Sequence, residues 1–163
     1  PVPTAKLEQA IAYIEKCISP GGVGYSHTNR WGHVSRTGGA ILALSIAGAT
    51  KSKGFSIMCK NLDSAMKNVV GGHASNALAF WQCAAGSLHV STAMWDKYVQ
   101  TWFKKIMDLQ EPDGKFGQMK HPKENQTTER NLGPAYLTAL YSFVLLVDQG
   151  GLKYTSGLAS RKK

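Results

Sequence analysis

The chain lacks any uninterrupted apolar run long enough to cross a bilayer. Nor does it open with a basic segment followed by an apolar one, so no secretory leader is visible. Because it begins at Pro1 and not at Met, it is expected to be a piece of a longer protein. Cysteine is scarce: Cys17, Cys59 and Cys83 are odd in number and form no C-x-x-C pair, which argues against a zinc or redox motif. All three fall among apolar neighbours in predicted helices and read as small buried thiols. Acidic residues are outnumbered, 10 against 19 Lys and Arg, leaving a formal charge of +9. Such an excess suits nucleic acid, anionic polysaccharide or phosphorylated ligands. The basic residues are nevertheless scattered, with one tight block at Arg161-Lys162-Lys163. Without an arginine-rich stripe or an aromatic RNA-binding signature, there is no specific nucleic-acid signal and no membrane signal. An apolar fraction of 43% in 163 residues is enough for a core.

Helical periodicity dominates what is present. From Thr4 to Ser19, Leu7, Ala10, Ile11, Ile14 and Ile18 recur at three- and four-residue steps, the stripe of a helix resting on a core, with Thr4 as cap and Pro20-Gly21-Gly22 as stop. After a polar and aromatic loop, Thr37 to Ala47 contains almost no charge, which predicts an inner helix. Phe55 to Val70 is amphipathic, and Ala74 to Ala85 is again charge-free. The segment from Ser91 or Thr92 to Leu109 is amphipathic through Trp95, Tyr98, Val99, Trp102, Phe103 and Ile106. After the most polar stretch, Gln118 to Arg130, Asn131 is read as the cap of an apolar helix that reaches Val147, with Pro134 in its first turn. Wet-faced and apolar helices thus alternate three times, predicting an all-α fold of amphipathic outer helices around apolar inner ones. Gly and Ala in the inner helices would let their backbones approach.

One turn motif recurs. Gln110-Glu111-Pro112-Asp113-Gly114-Lys115-Phe116-Gly117 ends the fifth helix, and Pro20-Gly21-Gly22-Val23-Gly24-Tyr25 is a shortened copy after the first. Helical hairpins with a Gln-x-Pro-Asp-Gly-x-Phe-Gly turn resemble the α/α-toroid repeats of terpenoid cyclases and protein prenyltransferase β-subunits. The similarity covers roughly residues 4–150, carried by the repeat more than by identities. It implies one toroid-like domain over 1–150 with hairpins at about 4–48, 54–87 and 91–148, followed by a tail at 151–163. Complete toroids of this kind have about six hairpins. Three therefore imply a half-ring, completed by a further segment, by a second copy as a homodimer, or not at all. The family's catalytic motifs do not carry over. The chain has no Asp-x-Asp-Asp, no matching Asp, Cys and His set for zinc, and no Cys-Gly-Glu-Gln, so neither metal nor cofactor is expected.

The loops leading into inner helices hold the candidate chemistry. Helix N-termini favour anions through free N–H groups and the helix dipole. Arg36-Thr37-Gly38, His73-Ala74-Ser75 and Arg130-Asn131-Leu132 lie at these positions. If the inner helices are parallel, the three meet at one end with Arg30, Trp31 and His33. The candidate ligand-binding residues are then Arg30, Trp31, His33, Arg36, His73 and Arg130, around a basic, aromatic-lined concavity. Its ligand would be anionic or polar: a glycan, a phosphate or a peptide carboxylate. The bland alternative makes Thr37, Ser75 and Asn131 ordinary caps and binds the arginines to loop carbonyls. Five histidines, His27, His33, His73, His89 and His121, form no H-E-x-x-H or i, i+4 pair. His33 and Glu129 are the catalytic candidates, and for acid–base work Glu124 and Glu129 lie in the long polar loop with Asp113 in the preceding turn. The functional expectation is a non-catalytic binding or scaffolding module working beside other domains of a parent chain. The alternative is a toroid enzyme, a polysaccharide lyase, glycosidase or terpenoid cyclase/prenyltransferase-like protein, whose pocket collects Arg30, His33, Arg36, Glu129 and Arg130.

Overall fold

The computed structural model describes residues 3–70, 75–119 and 129–149. Six helices carry them: α1 (Thr4–Lys16), α2 (Val34–Ile46), α3 (Lys53–Ala65), α4 (Asn76–Val90), α5 (Thr92–Met107) and α6 (Glu129–Leu146). The expected all-α class holds, with one addition. Two-residue strands β1 (Ile18–Ser19) and β2 (Gly22–Val23) pair antiparallel across the Pro20-Gly21 turn.

Several boundaries differ from the sequence reading, each for a local reason. Pro3, not Thr4, occupies the position before α1. Helix α2 begins three residues early because the His33 ring accepts the Ser35 N–H and serves as the cap. Thr37 therefore lies inside the helix. In the last pair, Gly133 adopts φ 76° and interrupts α6, so the regular helix begins at Pro134 and Asn131 belongs to a short turn before it. Ser75 and Ser91 do cap α4 and α5, accepting the N–H groups of Leu78 and Met94.

Helix α2 packs on α4, and α4 packs on α6, while the amphipathic α3 and α5 cover α2 and α4. Closely matched pairs advance together along neighbouring helices: Val34 with Cys83 and Gly38 with Gly86, then Ala77 with Glu129 and Phe80 with Tyr141. The core holds Ile41 and Leu44 from α2, Met58 and Leu62 from α3, Phe80 and Cys83 from α4, and Tyr98 and Ile106 from α5. Two of its aromatic polar groups find backbone partners. Tyr98 donates to the Phe80 carbonyl at 2.9 Å, and the Trp102 indole donates to the Met66 carbonyl at 2.8 Å. Burial raises the pKa of the Cys83 thiol. Cys17 is also buried, but it stands just past α1 and Cys59 is half-buried, so the expectation of three buried helical thiols is met for Cys83 alone.

Two further expectations are corrected. Helix α1 contributes no buried residue; Ile11 and Ile14 are half-buried and Leu7 is exposed, so its stripe only leans on the core. Helix α6 was expected to be covered all round. One side carries Leu137, Tyr141 and Val144 into the core, but Leu132, Phe143 and Leu146 are exposed.

The recurring turn has a common anchoring device. The buried Val23 donates its N–H to the Thr37 hydroxyl at 3.0 Å, and the buried Phe116 donates its own to the Thr138 hydroxyl at 3.0 Å. In both copies the next glycine closes the turn, Gly24 to the Cys17 carbonyl and Gly117 to the Leu109 carbonyl. A side chain one turn inside an inner helix thus receives the amide of the residue that plugs the core. Thr37→Val keeps the shape but leaves the Val23 amide without an acceptor, and a loss of about 1–2 kcal/mol is expected in urea denaturation.

Candidate functional site

The loop from Gly24 to His33 is tied down by its own side chains. Ser26 bonds Thr28 and receives the Asn29 N–H. Arg36 reaches back from α2 to the carbonyls of Val23, 3.1 Å, and Trp31, 2.8 Å, and its guanidinium lies 3.7 Å from the Tyr25 ring centroid. Arg36 is therefore a clamp that holds an aromatic loop on the helix. Arg30 binds the Ile18 carbonyl on β1. Trp31, between them, is 65% exposed.

Beyond Arg30 opens a cleft of about 390 Å³, lined by Ile18, Ser19, Pro20, Arg30, Ile57, Lys60 and Asn61. Its lining is mostly apolar and includes two cationic residues, Arg30 and Lys60. Asn61 spans it, donating to the Ser19 carbonyl at 3.4 Å. Lys60 forms no ion pair among the described residues. Ser19, Lys60 and Asn61 were not recognised as site residues from the sequence. Lys60 reads as part of a helix's wet face, and only the proximity of Lys60 and Asn61 to the first copy of the turn reveals more.

The second polar place is buried. Glu129, 1% exposed, accepts the Ser75 hydroxyl at 2.9 Å and the Ala77 N–H at 2.6 Å through Oε1. It thereby caps α4 from α6, a charge-assisted use of the helix's free N–H groups. Its other oxygen, like the Tyr141 hydroxyl, is buried without a hydrogen-bond partner among the described residues. Burial, and then the Glu129 charge, raises the Tyr141 pKa.

The structure thus brings together two of the three helix starts, Ser75 with Glu129. It places the third, His33 with Arg36, on the clamped first loop. His33 uses Nδ1 as the cap acceptor. His27 lies edge-on to Tyr13 at 5.9 Å, while burial lowers the pKa of the half-buried His89. His73, His121, Glu124 and the Arg130 side chain lie outside the described residues. Asp113 bridges to Lys115 at 3.0 Å within the turn, as a turn former should. No cluster of three or more His, Cys, Asp or Glu suited to a metal occurs among the described residues. No family model, curated protein or solved structure matches the chain.

Proposed function

We propose that the chain is a non-catalytic binding module built as three hairpins of an α/α-toroid-like half-ring, working within a larger protein. In this reading the cleft beside β1 receives a ligand bearing a carboxylate or phosphate next to an apolar group. The observation that carries the reading is the cleft's lining, in which Arg30 and Lys60 join Ile18, Pro20 and Ile57. Cations beside an apolar lining favour an anion with an apolar portion over a bare ion or a neutral hydrocarbon. The exposed Trp31 follows Arg30 directly and offers a stacking surface at the same loop. Support for a binding role over an enzyme comes from the fates of the candidate catalysts. Glu129 is occupied as an internal cap, His33 caps α2, and Arg36 holds loop carbonyls. Of the groups with raised pKa values, Cys83, Tyr98 and Tyr141 belong to the packed core, Cys59 is half-buried on α3, and Lys115 pairs with Glu111 and Asp113 in the turn; none of them lines the cleft.

The test is calorimetric titration with N-acetyl-leucine, glucuronate and inorganic phosphate. N-acetyl-leucine should bind most tightly, because it alone supplies both an anion and an apolar group. Lys60→Glu should weaken it about tenfold or more without lowering the melting temperature. Equal, charge-independent affinities, or affinity unchanged in Lys60→Glu, would remove the cleft as the site.

A further inference from the structure

We infer that the cleft beside β1 recognises an acylated α-amino carboxylate, as at the free end of a peptide or in an acylated amino acid, and that Asn61 selects it. The inference rests on the cleft being the binding site, and adds which groups its ligand must carry.

Helix α3 contributes Ile57, Lys60 and Asn61 to the lining at three- and four-residue steps, so they share one side of the helix. The first loop adds Arg30, and β1 with its turn adds Ile18, Ser19 and Pro20. The two β1 carbonyls decide how the polar side chains are engaged. Arg30 donates to the Ile18 carbonyl, and Asn61 Nδ2 donates to the Ser19 carbonyl at 3.4 Å. A carbonyl only accepts, so it turns the nitrogen of the Asn61 amide toward β1 and the oxygen away. Oδ1 receives no hydrogen bond from the described residues. The Ser19 hydroxyl gives its proton to the Gly22 carbonyl at 2.9 Å, so toward a ligand it too is an acceptor.

The lining therefore makes three demands. Lys60 and the remaining N–H groups of Arg30 call for an anion. Asn61 Oδ1 and Ser19 Oγ repel that anion and call for a donor beside it, because an acceptor that loses water without gaining a donor weakens binding. Ile18, Pro20 and Ile57 call for an apolar group. An acylated α-amino carboxylate carries all three on one carbon: the carboxylate, the amide N–H and the side chain. Other anions fall short. A fatty acid has no donor next to its carboxylate, and a sugar acid or inorganic phosphate has no apolar group. A free amino acid replaces the neutral N–H by an ammonium, which Arg30 and Lys60 repel.

The experiment is calorimetric titration of the full chain with N-acetyl-leucine and with 2-acetoxy-4-methylpentanoate, the ester in which oxygen replaces the N–H. The amide should bind about tenfold more tightly than the ester. In Asn61→Leu the amide should lose affinity while the ester hardly changes, so the ratio should fall to about twofold or less. Free leucine should bind the parent chain at least about tenfold more weakly than N-acetyl-leucine. A thermal melt checks the fold of Asn61→Leu, and the ligand comparison on the parent chain needs no variant. Acetyl-glycyl-glycyl-leucine distinguishes the two sources: tighter binding than N-acetyl-leucine assigns the peptide end, and weaker binding the acylated amino acid. Equal binding of amide and ester by the parent chain, with both weakened by Lys60→Glu, would overturn the inference and leave the cleft as an anion site. A preference for the amide that persists in folded Asn61→Leu would overturn the role of Asn61. Binding of neither ligand would remove the cleft itself, and the inference with it.

Discussion

Gly38→Val is expected to destabilise the fold by about 3 kcal/mol. A Cβ at Gly38 would stand 2.6 Å from the Gln82 carbonyl oxygen and 2.9 Å from the Cys83 Cα. A Cβ at Gly86 would stand 2.7 Å from the Gly38 carbonyl oxygen. These neighbours are backbone atoms of a packed helix and have no rotamer to change. Relief therefore requires α2 and α4 to separate, and the contacts of Ile41, Leu44 and Phe80 would loosen with them. Against a typical domain stability of about 5–15 kcal/mol, that loss leaves little margin. Gly39→Ala is the control. Its added Cβ would meet the Gln82 side-chain nitrogen at 3.1 Å, an atom that can move. Helix propensity favours alanine over glycine by about 1 kcal/mol, and valine by less, so propensity alone would stabilise both variants and cannot account for a loss at Gly38. Urea melts should show Gly39→Ala near the parent stability and Gly38→Val far below it.

Glu129→Ala is expected to cost about 2–4 kcal/mol. It removes the acceptor of two buried donors, the Ser75 hydroxyl and the Ala77 N–H, and each buried donor left unmade costs about 1–3 kcal/mol. It also deletes the link between the start of α6 and the start of α4. Glu129→Gln retains an oxygen that can accept from Ala77 and should recover at least half of the loss. This ordering separates a structural carboxylate from a catalytic one. A base reserved for substrate would leave stability unchanged in both variants, or would raise it by relieving an unpartnered buried oxygen.

Much of the architecture was legible because burial writes itself into periodicity. The charge-free segments around Ile41 and Phe80 are inner helices with both residues fully buried, and the wet-faced segments around Leu62 and Trp102 cover them. The recurring turn also announced itself, since Pro112-Asp113-Gly114 dictates a reversal and Phe116 must be buried after it. What stayed hidden depends on three-dimensional neighbours. An absence of charge cannot say whether a helix is covered on every side, so the open stripe of α6 was missed. A histidine preceding a helix does not spell a cap, and the early start at Val34 was missed with it. The site divides in the same way. Arg30 and Trp31 are neighbours in the sequence and share the first loop, so their proximity is legible from the chain. Lys60 and Asn61 are distant in sequence and reach Arg30 only because α3 lies against β1 and β2. Glu129 was suspected for its charge, yet its role is set by Ser75 and Ala77, more than fifty residues upstream.

The most direct test of the account is a ¹⁵N–¹H correlation spectrum of the full chain titrated with N-acetyl-leucine. Progressive shifts confined to Ser19, Arg30, Ile57, Lys60 and Asn61, with Ser75, Ala77 and Glu129 unmoved, are the predicted result. Shifts centred on Ser75, Ala77 and Glu129, or a spectrum that does not change, would contradict it.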